Sequence, residues 1–193
     1  DTRVDTAAIE MIAGDERFHV KLLQPVAQLG QSSAWPLAID ARGELQRWIV
    51  RARAFDLLRD WHVAGAYRFH AEVASSTSSV ELRGAQLDVE PLQVAGGGLN
   101  VNEPSASLSL AGQYLHEQRR MLIQRSELTM TTLGVQASEL IVGIPVGKPT
   151  ELAGNLSYRG DVGRLQQWIT EPNAAPTWRA SGELAGQARL KQV

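Results

Sequence analysis

Cysteine is missing from this 193-residue chain, so no disulfide can staple it and no thiolate can hold a metal. Aromatic residues are scarce at 6 %, while hydrophobic residues reach 44 % and glycine fills 17 positions, a balance of small and aliphatic side chains suited to strands. An excess of charge of either sign is also lacking. The net charge of −2 gives no electrostatic case for nucleic acid or for an anionic membrane surface. No stretch approaches the roughly 20 apolar residues that a transmembrane helix needs, and no signal peptide pattern occurs.

What the chain does have is one stretch written twice. The segment from Ile39 to Val73 and the segment from Leu156 to Leu190 share a register at an offset of 117, which carries Arg42 onto Arg159, Gly43 onto Gly160, Trp61 onto Trp178 and Gly65 onto Gly182. Within this frame the second copy has three extra residues ahead of Trp168, read as the counterpart of Trp48. The chain opens at Asp1 without a methionine and closes at Val193 inside the second copy. The expectation is a piece of a longer protein, with any anchor or export signal lying outside it.

Each copy predicts a strand, a short helix and a second strand. Leu45, Trp48, Ile49, Ala52 and Phe55 recur at spacings of three and four, which gathers them on one helical face and leaves Arg47, Arg51 and Arg53 largely off it. Val162, Leu165, Trp168 and Ile169 repeat the arrangement, with Asp161 at the positive end of the helix and Pro172 and Pro176 closing it. The tryptophans beside each helix read as packing groups where helix meets sheet. From Trp61 to Val73 the apolar period becomes two, the mark of a long strand with one apolar face.

Elsewhere, Thr6 to Ala13 is read as two helical turns and Phe18 to Val26 as a strand, with Gly30 to Ser33 as a polar joint. From Ser78 onward come short alternating segments, with a change of phase near Gly84 that calls for a bulge or bend, a turn at Ala95 to Asn100 and a hairpin connection at His116 to Arg120. The expected organisation is a tail of a preceding unit at 1–33, one complete strand-helix-strand-meander unit at 34–150 and the start of the next at 151–193. The fold class is mainly β: a long antiparallel meander forming a curved open sheet or groove, with a β-sandwich as the alternative and short amphipathic helices at strand connections.

Catalytic chemistry finds no support. The four histidines, His19, His62, His70 and His116, lack zinc-like spacing, and His62 and His70 on one strand face stand roughly 26 Å apart at strand rise. Gly96 to Gly98 lack the Gly-Lys-Ser/Thr and the helix start of a phosphate loop. No serine sits in a nucleophile elbow, and Asp88 with Glu90 reads as a solvated strand face. Arg119 and Arg120 read as a charged hairpin tip, and Asn155-Leu156-Ser157 matches the glycosylation pattern as short motifs do by chance. The reading is a non-enzyme without metal or cofactor.

The phrase of strand, Gly-Asp/Glu-Leu/Val, helix with Leu and Trp, then Trp-x-x-x-Gly on a long strand resembles the repeating units of the AsmA-like bacterial envelope proteins, the family that includes TamB. It is carried by Arg159 to Ile169 with Trp178 to Leu190, by Arg42 to Leu45 with Trp61 to Phe69, and by the strand texture of Ser107 to Leu115 and Leu82 to Val89. The resemblance implies a curved β-groove lined by aliphatic side chains that carries lipid between membranes, in the periplasm or envelope, in support of outer-membrane biogenesis or maintenance. It implies a phospholipid or other acyl-chain lipid as ligand and other envelope proteins as partners; the near-neutral charge leaves no nucleic acid among them. The candidate groove positions are Val63, Tyr67, Phe69, Leu108, Leu110 and Tyr114. The competing expectation is a non-catalytic structural or interaction module in which the same positions form a closed core.

Overall fold

The computed structural model describes residues 3–27, 34–53, 60–143, 151–169 and 179–191. Its elements are β1 (Arg3–Val4), β2 (Ala8–Ala13), β3 (Glu16–Leu22), β4 (Val26–Ala27), β5 (Trp35–Glu44), α1 (Leu45–Arg53), β6 (His62–Ser75), β7 (Ser79–Gly96), β8 (Leu99–Glu103), β9 (Ala106–Leu115), β10 (Arg120–Met130), β11 (Leu133–Gly143), β12 (Glu151–Asp161), α2 (Val162–Ile169) and β13 (Glu183–Leu190). Ten strands lie in one antiparallel sheet in the order β13-β12-β11-β10-β9-β7-β6-β5-β3-β2, and β8 joins as the eleventh by pairing with β7. β1 and β4 make a separate two-stranded sheet. The long path is open, with β2 and β13 as its edges. No second large sheet faces it among the described residues, so the protein is mainly β and open, and the sandwich held as the alternative does not form.

The internal repeat is written into the hydrogen-bond register. Gly43 pairs with Tyr67 and Glu44 with Ala66; shifting all four by 117 gives Gly160 with Leu184 and Asp161 with Glu183, which are the pairs observed. The helices begin at the same offset, at Leu45 and Val162. No residue is therefore inserted ahead of the second helix. Leu165 takes the position of Trp48, and Trp168 stands one turn further on, which corrects the three-residue insertion expected from the tryptophans. Phe55, Pro172, Pro176 and Trp178 fall outside the described residues, as do 28–33 and 144–150, where the unit boundaries were expected. The sheet itself runs through all three expected units.

The N-terminal segment departs from its expected helix. Ala8 to Ala13 is strand β2, pairing Ile9 with Val20 and Met11 with Phe18. The threefold spacing of Ile9 and Ile12 suits a helix and puts them on opposite faces of a strand, and the β3 partner overrides that preference, as partner strands do in such short segments. The strand that follows stops at Leu22, ahead of the Val26 expected from alternation, because Val26 pairs instead with Val4 in the small sheet.

The phase change near Gly84 is a bulge. β7 is one strand of 18 residues whose register slips against β6 between Glu72 and Val73 and against β9 between Leu82 and Ala85, leaving Arg83 and Gly84 as the irregular residues. β10 slips against β9 between Ile123 and Arg125, and β11 against β12 between Ser138 and Ile141. These irregularities adjoin, because Leu82 pairs with Gly112, Gly112 with Ile123, and Ile123 with Leu140. Bulges bend strands and sharpen twist, so an aligned series bends the sheet along one line.

Candidate functional site

Period-two alternation gives each strand an apolar and a polar side, and the register decides whether the apolar sides meet. They do so across the whole sheet. One transverse row pairs Met11 with Phe18, Phe18 with Ala41 and Ala41 with Phe69. It continues from Phe69 to Leu87, Leu108 and Leu128, then to Val135, Tyr158 and Gly186. The next row on the same face runs from Ile9 through Val20, Ile39, Ala71, Ala85 and Leu110 to Ser126, Ala137, Leu156 and Ala188. Neither row contains a charged residue.

Ten strands at the usual spacing make this face about 48 Å wide, and two rows cover about 650 Å² of projected sheet. Phe69, Leu87, Leu108, Leu110, Leu128 and Val135 are half-buried, and Met11 (55 %) and Tyr158 (37 %) toward the edges are exposed.

The candidate positions divide accordingly. Phe69 and Leu108 share the first row on either side of Leu87, and Leu110 lies in the second between Ala85 and Ser126. Tyr67 is buried, in a neighbouring row with Val89 and Ala106. Val63 lies beyond a further register shift, opposite Val94. Tyr114 is at the other end between Val80 and Met121, exposed and edge-on to His116 with ring centroids 5.3 Å apart. Phe18, Leu87, Leu128, Val135 and Leu156 belong to the face equally and were missed. Their alternation was visible, but only pairing partners place separate strands in one row.

The helices sit at the Tyr67 end. Trp48 Nε1 donates to the Tyr67 hydroxyl at 2.8 Å, so α1 lies on the apolar side. Leu165 of α2 stands close to Gly160, where a Cβ would come within 3.1 Å of it. Gly160 pairs with Leu133, in line with the Tyr67 row. The three α1 arginines, expected simply off the apolar face, fasten the helix down. Arg47 donates to the Ala13 carbonyl at 3.3 Å, Arg53 to the Trp61 carbonyl at 2.7 Å, and Arg51 pairs with Glu16 at 2.7 Å.

Two stability predictions follow from this docking. Tyr67→Phe leaves the Trp48 indole N–H without its acceptor and should lower stability by about 0.5–1.5 kcal/mol in urea unfolding, with a shifted tryptophan emission. Arg51→Ala strands the Glu16 carboxylate, whose side chain is 12 % exposed and whose Oε1 has no hydrogen-bond partner, and should cost about 1–3 kcal/mol by the same assay. Arg51→Lys should recover part of that loss.

The opposite face is polar and also brings together what the sequence keeps apart. Asp40 pairs with both His19 and His70 in the sheet, with His70 Nδ1 at 2.7 Å and His19 Nδ1 at 4.0 Å from its carboxylate oxygens. No group of three or more His, Asp or Glu residues among the described residues is placed to hold a metal ion. Away from this site, the Arg120 guanidinium is held above its ordinary pKa by its hydrogen bond and charge interaction with Glu151, 2.5 Å away. No helix among the described residues is long and apolar enough to cross a membrane. No protein-family model, curated protein or solved structure matches the chain.

Proposed function

We propose that this chain is a segment of a bacterial cell-envelope protein that binds or conducts lipid along the apolar face of its sheet, as a groove bent at the line of bulges and covered at one end by α1 and α2. The observation that carries this reading is the apolar face itself: its two central rows cross ten strands without a charged side chain, and the described residues hold no second large sheet to close over it. An apolar sheet face must be covered by protein or by a ligand. Acyl chains fit a long uncharged strip because they demand no polar partner along its length.

In this reading the ligand is a phospholipid or another acyl-chain lipid, the setting is the periplasm or envelope, and other envelope proteins continue the path toward outer-membrane biogenesis or maintenance. The role is binding and conduction, without catalysis. Mass spectrometry of lipids extracted from the purified protein tests it. Phospholipid at a reproducible molar ratio is the expected result, and protein purified from membranes without bound lipid would refute the reading.

A further inference from the structure

The polar face carries a second arrangement, independent of the lipid reading. Arg17 on β3 pairs in register with Arg42 on β5, and Arg42 with Arg68 on β6. Cβ atoms of such pairs are about 4.5–5.5 Å apart, and like charges directly opposite destabilise a sheet. No carboxylate among the described residues hydrogen-bonds them. Asp40 is engaged by His70 at 2.7 Å, and Asp88, in register with Arg68, accepts from Gln86 at 3.0 and 3.2 Å. Arg68 reaches Glu90 only at 3.9 Å, and Arg17 and Arg42 have no ion pair or hydrogen bond among the described residues.

The internal repeat supplies a control within the same molecule. At the position equivalent to Arg42, Arg159 pairs with Glu183 at 2.9 Å, and the position equivalent to Arg68 is Ala185. The second copy neutralises its arginine and the first stacks three. The arginines line a depression of about 860 Å³ together with His19, His70 and the carboxylates of Glu10, Asp40 and Asp88. Guanidinium groups present forked donors that match phosphate oxygens in pairs, and three on adjacent strands can share two phosphate groups.

We infer that the Arg17, Arg42 and Arg68 ladder is a binding site for a phosphate-bearing ligand, on the face opposite the apolar strip. The site rests on geometry: three guanidinium forks stand in register, and the carboxylates beside them hydrogen-bond none of the three, so a phosphate meets donors that are free at contact distance.

Titration calorimetry with inorganic pyrophosphate, at low and at physiological salt, tests the inference on the whole chain and on Arg42→Gln and Arg159→Gln. The expected result is salt-sensitive binding that weakens at least tenfold in Arg42→Gln and is unchanged in Arg159→Gln. Vesicles of phosphatidylcholine with and without phosphatidylglycerol separate the sources. Binding to the anionic vesicles, displaced by pyrophosphate, identifies a lipid headgroup; pyrophosphate binding without vesicle binding identifies a free phosphate compound. Absence of both kinds of binding, or equal losses in the two variants, would overturn the site. So would binding of polyglutamate in preference to pyrophosphate, which would assign the arginines to an acidic protein segment.

Discussion

Leu108→Asp is expected to leave the chain folded while reducing its co-purifying lipid at least tenfold. Leu108 is half-buried between Leu87 and Leu128, in the middle of the charge-free row. On an uncovered face the new carboxylate keeps its water, and the protein loses chiefly the leucine's partial burial, about 1–2 kcal/mol. An acyl chain lying across that row would instead have to desolvate the charge, which is far more costly than the methylene contacts it gains. Circular dichroism with thermal unfolding, beside lipid quantification, reads both halves of the prediction. Unfolding of the variant would mean that protein covers this face, since an unpaired charge in a closed core costs more than most domains can spare. Folded protein with undiminished lipid would place the lipid elsewhere.

Gly65→Ala carries the largest expected loss of stability, at about 3–5 kcal/mol. Gly65 has φ 141°, a conformation L-residues rarely adopt, and a Cβ there would collide with the Pro91 carbonyl oxygen and stand 2.7 Å from Val89 Cγ1. Neither obstacle is the loose end of a flexible side chain. The comparison is Gly84→Ala, within the bulge of β7, where a Cβ meets nothing within 4 Å. That change should alter stability by less than about 0.5 kcal/mol. Chemical denaturation of the two variants under one set of conditions checks the contrast. Comparable stabilities would contradict the register shift between Ala64 and Ala66 that brings the backbones together.

Much of this architecture was open to sequence reading because period two is a direct imprint of the pleat. Trp61 to Val73 and Ala106 to Tyr114 alternate cleanly, and they fall on β6, which begins at His62, and on β9. The bulge at Gly84 was readable as a change of phase, and four identities at one offset fixed a pairing register repeated 117 residues later. The failures have a common origin in long-range pairing. Thr6 to Ala13 reads as two helical turns capped by Thr6 or Asp5, yet β3 provides a partner strand and Ala8 to Ala13 extends.

The same cause hid parts of both faces. His19, Asp40 and His70 are 21 and 30 residues apart in sequence and adjacent only through β3, β5 and β6. The arginine ladder arises in the neighbouring row of those strands. Phe18 and Leu128 look like ordinary strand residues until register puts them in line with Phe69 and Leu108. The helix arginines were legible as polar positions, but their partners Ala13 and Glu16 belong to a hairpin that the sequence presented as something else.

Photolabelling with a phospholipid that bears a diazirine in its acyl chain, followed by peptide mapping, tests the central claim most directly because it distinguishes the two faces of single strands. Adducts on Phe69, Leu87, Leu108 and Leu128, with none on their neighbours His70, Gln86, Ser109 and Glu127, are the predicted result. Labelling shared equally between the faces, or confined to the polar one, would contradict the proposal that the apolar strip is where lipid lies.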